Sequence, residues 1–136
     1  MGDLAALAAF LPRLESPDFS PGGFSEMRKE ADGTLILPYW IPSETASDFI
    51  RMAYDTGWVW PDFDWVKWAR TEEATRLHEN EGAMASATEE QLAKLLTALI
   101  RQDRFVEGAM NAAFQSGLIL HLVKRAAALN TRLPNH

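Results

Sequence analysis

The sequence predicts a mainly α fold: a single-domain multi-helix bundle or helical-repeat-like array with one small β-hairpin near its N-terminal end. Three observations predict it. Apolar residues recur at helical spacing through most of residues 43–129. The capping box Thr88-Glu89-Glu90-Gln91 opens the strongest of these stripes. Asp32-Gly33, followed by the β-prone stretch Thr34 to Tyr39, marks a hairpin turn. A chain of 136 residues, 47% hydrophobic and 24% charged, has the size and composition to bury one core without a disulfide or a structural metal.

The elements follow in order. Residues 3–14 carry Leu4, Leu7, Ala8 and Leu11 on one face, with Pro12 near the end, and predict a short N-terminal helix. Two prolines and two glycines between Ser16 and Gly23 turn the chain out of it. Residues 24–40 form the hairpin region, which must lay Phe24, Leu35 or Leu37 against the helices to persist, because two strands alone are marginal in water. Pro38 and Pro42 confine it to an edge. The helical core spans 43–129. Ser43 stands at an N-cap, Ala46, Phe49, Ile50, Ala53 and Tyr54 share a face behind it, and Gly57 fits the helix end. Asp62 or Asp64 caps the next helix, on which Trp65, Trp68 and Ala69 share a face. A stretch from Thr71 toward His78 ends at Glu79 to Gly82, read as an exposed helix end or loop. Behind the capping box, Leu92, Leu95, Leu96, Leu99 and Ile100 form the apolar stripe. Phe105, Ala109, Ala112, Ala113 and Ser116 outline a helix with small residues on one face, ended by Gly117, and Leu118 to Leu129 outline the last. That gives about five or six helices, with Leu92, Leu95, Leu96, Leu99, Phe105 and Leu118 in the core and a frayed tail over 130–136.

Composition removes several function classes. Thirteen basic against nineteen acidic residues leave a net charge of −6, which argues against a nucleic-acid-binding chain; segment 101–136 is only mildly basic. The absence of cysteine excludes thiolate catalysis, cysteine-held zinc and iron–sulfur clusters. The longest apolar run, Leu4 to Leu11, is far too short to span a membrane, so no membrane association is expected and the cytoplasm is the default compartment.

The most informative polar segment is Arg101-Gln102-Asp103-Arg104 with Glu107, which gathers two guanidinium groups, two carboxylates and an amide at a junction between apolar helices. Guanidinium forks recognise carboxylate or phosphate by paired hydrogen bonds, so Arg101 and Arg104 form a candidate clamp for a small anionic ligand, steadied by Asp103 and Glu107. The competing reading is a structural network that satisfies helix ends. Trp58, Trp60 and Trp65 belong to the densest aromatic stretch and are candidate interface residues, with core packing as their alternative. Asp62 and Asp64 have no third carboxylate at calcium-loop spacing, and His78, His121 and His136 lie far apart in sequence, so no metal site is expected. Ser116 and His121 are five residues apart, which does not align two side chains on a helix, and no phosphate-cradling or nucleophile motif is present. No catalytic residue and no cofactor is predicted.

The stretch Leu95-Leu96-Thr97-Ala98-Leu99-Ile100-Arg101-Gln102-Asp103-Arg104-Phe105, with Glu107-Gly108, Ala113-Phe114 and Ser116-Gly117-Leu118, resembles an uncharacterised bacterial and archaeal domain-of-unknown-function family. Leu37-Pro38-Tyr39, Gly57-Trp58 and Phe63-Asp64-Trp65 extend the likeness over most of the chain. The resemblance implies the helical fold and a prokaryotic cytoplasmic source, and it carries no activity, substrate or catalytic residue with it. Two function classes therefore stand. One is a non-enzymatic interaction or self-association module, acting on a protein partner or as a homo-oligomer through the aromatic segment or the small-residue helix at Ala109 to Ala113. The other is a small-anion-binding protein or enzyme built on Arg101, Asp103, Arg104 and Glu107.

Overall fold

A computed structural model describes residues 2–132. Nine helical segments among them, several only a turn long, gather around one hydrophobic core, and a β-ribbon projects between the second and third.

The N-terminal helix is two helices: α1 (Leu4–Ala8) and α2 (Leu11–Glu15). Pro12 is the reason, because in a continuous helix its ring would collide with the Ala8 carbonyl and its missing N–H would break the ladder. Both lay Leu4, Leu7 and Leu14 into the core. Ser43 caps α3 (Glu44–Asp55) as expected, its hydroxyl accepting from the Ala46 N–H. Asp64 caps α4 (Trp65–Ala69) and Thr71 caps α5 (Glu72–Glu79). On α4, Trp68 is buried and Trp65 half-buried, while Ala69 points to solvent. Asn80 ends α5 and its side chain caps a further turn, α6 (Glu81–Ala85), where only a loop or helix end is predicted. The Thr88/Gln91 capping box opens α7 (Glu89–Gln102), with both reciprocal hydrogen bonds formed.

The last two helices differ from expectation at their ends. A helix starting at Phe105 is not what forms: α8 covers Ala109–Gln115, and Phe105, expected in the core, is 78% exposed. Gly108, at φ +89°, reverses the chain just before α8 and separates Phe105 from the stripe it begins in the sequence. Leu92, Leu95, Leu96, Leu99 and Leu118 are all buried. The final helix, α9 (Leu118–Arg132), runs through Asn130 to Arg132, where the sequence predicts a frayed tail; residues 133–136 lie outside the described residues.

Helix α9 is the central post of a bundle, touched by α1, α2, α6, α7 and α8. A helical array packs each unit only on its neighbours in sequence. Here the first helix packs on the last, so the bundle alternative is the one that forms. One buried hydroxyl joins the aromatic segment to it. Thr97 of α7 accepts the Trp60 N–H at 3.0 Å and donates to the Ala93 carbonyl at 2.7 Å.

The hairpin consists of two antiparallel ladders in line: β1 (Gly22–Phe24) with β4 (Trp40–Pro42), and β2 (Arg28–Lys29) with β3 (Leu35–Ile36). From Phe24↔Trp40 to Arg28↔Ile36, each strand advances by the same number of residues, so the ladders form one arm without an insertion. Between them the Tyr39 N–H donates to the Ser25 hydroxyl at 2.9 Å, and Pro38 has no N–H to give. The Asp32 carboxylate accepts the Thr34 N–H in the turn, which holds its pKa below the usual aspartate range. Of the predicted anchors Phe24 alone is placed against the helices, over Gly108 at the start of α8. Phe24, Leu35 and Leu37 are half or more exposed, and Trp40 alone is buried, against Phe114. A two-stranded ribbon alone is marginal in water and needs packing on the body, which Trp40 supplies against Phe114 and the α7–α8 loop supplements through Glu107.

Candidate functional site

The loop between α7 and α8, residues 103–108, is tethered by its own side chains and by Arg101 at the end of α7. Tight turns shape it from within: the Phe105 and Val106 N–H groups both donate to the Gln102 carbonyl at 2.9 Å. Four side chains then fasten it to its surroundings. Arg101 donates to the Pro61 carbonyl at 3.1 Å, reaching the aromatic segment. Arg104 donates to the Tyr54 hydroxyl at 3.1 Å, reaching α3. The Asp103 carboxylate accepts the Met110 N–H at 3.0 Å, a cap that Gly108 cannot provide because it has no side chain. The Glu107 carboxylate accepts the Trp40 N–H at 2.5 Å, reaching the arm.

Four of the five polar residues singled out in the sequence are thus brought together as a fastening, each with its own protein partner. Gln102 is apart from them, exposed beside a shallow cleft of about 230 Å³ lined by Trp68, His78 and Leu99. The two guanidinium groups point to different elements, and each already spends a terminal nitrogen on a protein oxygen. Tyr54, Pro61 and Trp40 complete the network, and nothing in sequence spacing marks them as its partners.

What the fastening holds up is apolar. Phe105 and Val106 sit at the tip of the loop, and Phe105 is stacked on Trp65 with ring centroids 6.2 Å apart at 25°. On the other side Phe24 of the arm lies over Gly108, its ring edge 3.0 Å from where a β-carbon would stand. By the register of the arm, Phe24 shares the face of buried Trp40, whereas Met27, Leu35, Leu37, Tyr39 and Ile41 lie on the opposite face, all at least half exposed. Single exposed apolar residues are ordinary on any protein, but five on one face of a ribbon are not.

The three tryptophans divide. Trp58 is fully buried, with Gly2 flat against its ring and its indole N–H donating to the Asp3 carbonyl at 3.1 Å, so it has no surface to offer a partner. Trp60 is half-buried and packs edge-on against Phe63. Trp65 is half-buried and joins the exposed tip through Phe105. The small-residue helix is mostly occupied: Met110, Asn111, Ala113 and Phe114 face inward, leaving Ala112 and Gln115 outside.

A second polar junction escapes sequence reasoning. Glu73 of α5 accepts the Trp68 indole N–H at 2.7 Å and the Gln91 amide at 3.2 Å, tying α4, α5 and α7. The Trp68 bond chiefly, assisted by Gln91, Lys94 and Arg76 against the opposing effect of burial, holds the Glu73 carboxyl below the usual glutamate range. His78 and His121 line one cleft of about 200 Å³ with Glu79, Glu81 and Ser116, and His121 Nε2 is 3.8 Å from Glu81 Oε1. Among the described residues, no three His, Asp or Glu side chains are grouped as a metal ion would require. His136 is outside the described residues. No described helix is long and apolar enough to cross a membrane.

The model of a family of unknown function, DUF6508, matches residues 2–132. No curated protein and no solved structure matches the chain.

Proposed function

Since the chain belongs to DUF6508, whose description assigns no activity, we propose from its own geometry that it is a non-enzymatic interaction or self-association module of the prokaryotic cytoplasm. One observation carries the proposal: Phe105 is 78% exposed, yet its loop is fixed to three other parts of the molecule by Arg101, Arg104 and Glu107. An exposed aromatic held rigid loses little entropy on binding, which is what an interface anchor requires. The polar cluster is then the support, and the apolar tip is the working surface. The anionic-ligand reading has less behind it, because the two guanidinium groups point to different elements, Arg101 to Pro61 and Arg104 to Tyr54, rather than toward one shared position.

The test uses a photo-crosslinking residue placed at Val106 in the full chain, with the same residue at exposed Thr75 as the control. The expected result is a discrete protein adduct from position 106 and none from 75. Equal labelling at both, or none at either, overturns the reading.

A further inference from the structure

We infer that the cleft between α6 and α9 binds a small monocarboxylate with an apolar body. It is separate from the arm and from the Arg101–Glu107 network, and it does not depend on the interaction surface proposed above.

Spacing sets the face. His121, Lys124, Arg125 and Ala128 follow one another at i, i+3, i+4 and i+7, which puts them on one side of α9. Helix α6 packs on α9 there, and a cleft of about 270 Å³ remains, lined by these four residues with Glu81, Met84 and Ala85. Met84 is buried, and with Ala85 and Ala128 it gives the cleft an apolar wall. An apolar cavity of about 150 Å³ holds benzene, so this cleft has room for a ring or a short chain together with a carboxylate.

Charge gives the ligand its sign. The chain carries a net charge of −6, yet α9 contains no Asp or Glu and presents a lysine, an arginine and a histidine to the cleft. Glu81 answers the histidine from the rim, its Oε1 3.8 Å from His121 Nε2 and its side chain 82% exposed. Lys124 Nζ lies 4.0 Å from Glu15 Oε2 with both side chains about half exposed, a contact too long and too wet to occupy the ammonium. Arg125 is the fixed group. Its Nε–H donates to the Ala87 carbonyl at 2.7 Å, which orients the guanidinium plane, and among the described residues its terminal N–H groups have no acceptor. Those terminal groups form an end-on fork that matches the two oxygens of a carboxylate. A phosphate dianion suits the cleft less, because it meets Glu81 at the rim and finds no partner on the Met84 wall.

Amide-resolved NMR titration of the full chain with benzoate tests this, with benzyl alcohol as the uncharged counterpart and inorganic phosphate as the anion without an apolar body. The expected result is saturable shifts at Ala85, Lys124, Arg125 and Ala128 with benzoate, and binding about tenfold weaker or worse for each of the other two. Arg125→Lys keeps the charge and loses the fork, and should weaken benzoate about tenfold; Lys124→Gln should weaken it about threefold. Ala85→Leu fills the cleft from an exposed position and should remove the shifts at an unchanged unfolding midpoint. The last two leave the Arg125–Ala87 bond intact, so they carry the test if Arg125→Lys loosens the fold. Shifts that fail to saturate by about 20 mM, or that fall outside the cleft, overturn the proposal. So does equal binding of benzyl alcohol or phosphate, or undiminished binding of benzoate to Ala85→Leu.

Discussion

Phe105 and Leu96 show what a residue's neighbours in sequence can and cannot reveal. Both look like members of apolar stripes, yet Leu96 is fully enclosed and Phe105 stands in solvent. Leu96→Ala should lower stability by about 2–5 kcal/mol in chemical unfolding, since it empties a packed site. Phe105→Ser should cost about 1 kcal/mol or less, mostly the lost stacking on Trp65. Comparable losses for the two would contradict the placement of Phe105. Caps are legible because they act within three residues: Ser43 and Thr88 cap as expected, and of the two candidates Asp62 and Asp64 it is Asp64 that caps, while Thr71 caps α5 without having been singled out. The partners of Arg101, Arg104 and Glu107 were not, because Pro61, Tyr54 and Trp40 lie 40, 50 and 67 positions away. A guanidinium's donors are visible in sequence; what they find is decided by tertiary packing.

At the level of elements, the arm depends on two footholds, the buried Trp40 ring and the Glu107 carboxylate that accepts the Trp40 N–H. Hydrogen bonds to charged groups contribute about 1.5–3 kcal/mol, enough to decide whether a two-stranded ribbon stays docked. Glu107→Ala should therefore speed amide exchange at Trp40 about tenfold or more while the amides of α7 and α9 keep their protection, and Glu107→Gln should fall between. An unchanged rate at Trp40 would show that the carboxylate does not hold the arm. The hairpin itself was readable from Asp32-Gly33, but its buried anchor, Trp40, was not. Alternation of apolar residues predicts a buried face, and here the exposed residues are the apolar ones. Helix count was underestimated for a related reason. Segments of one turn, such as α6, are set by a single cap and by contact with α9, and have too few residues to show a period.

For the molecule as a whole, Glu73 links three helices, so its protonation reaches global stability. Its folded pKa is lowered, so the stabilisation is complete above the usual glutamate range near 4.3 and is lost as pH falls through the lower folded value. Glu73→Gln should therefore narrow its stability deficit against the native chain between pH 6 and pH 3 in chemical unfolding; a deficit constant over that range would refute the linkage. The bundle was legible as a class, since nearly every stripe assigned to it is buried, whereas the closure of α1 onto α9 joins opposite ends of the chain and leaves no local mark. The blocked edge of the arm has one more consequence. Exposed apolar ribbons are the usual seeds of fibrils, because each added strand offers a fresh ladder to the next. With Pro38, Pro42 and the Glu107-bound Trp40 along its returning strand, and Glu26, Arg28, Lys29 and Glu30 along the other, this ribbon exposes apolar side chains without offering an added strand a continuous ladder.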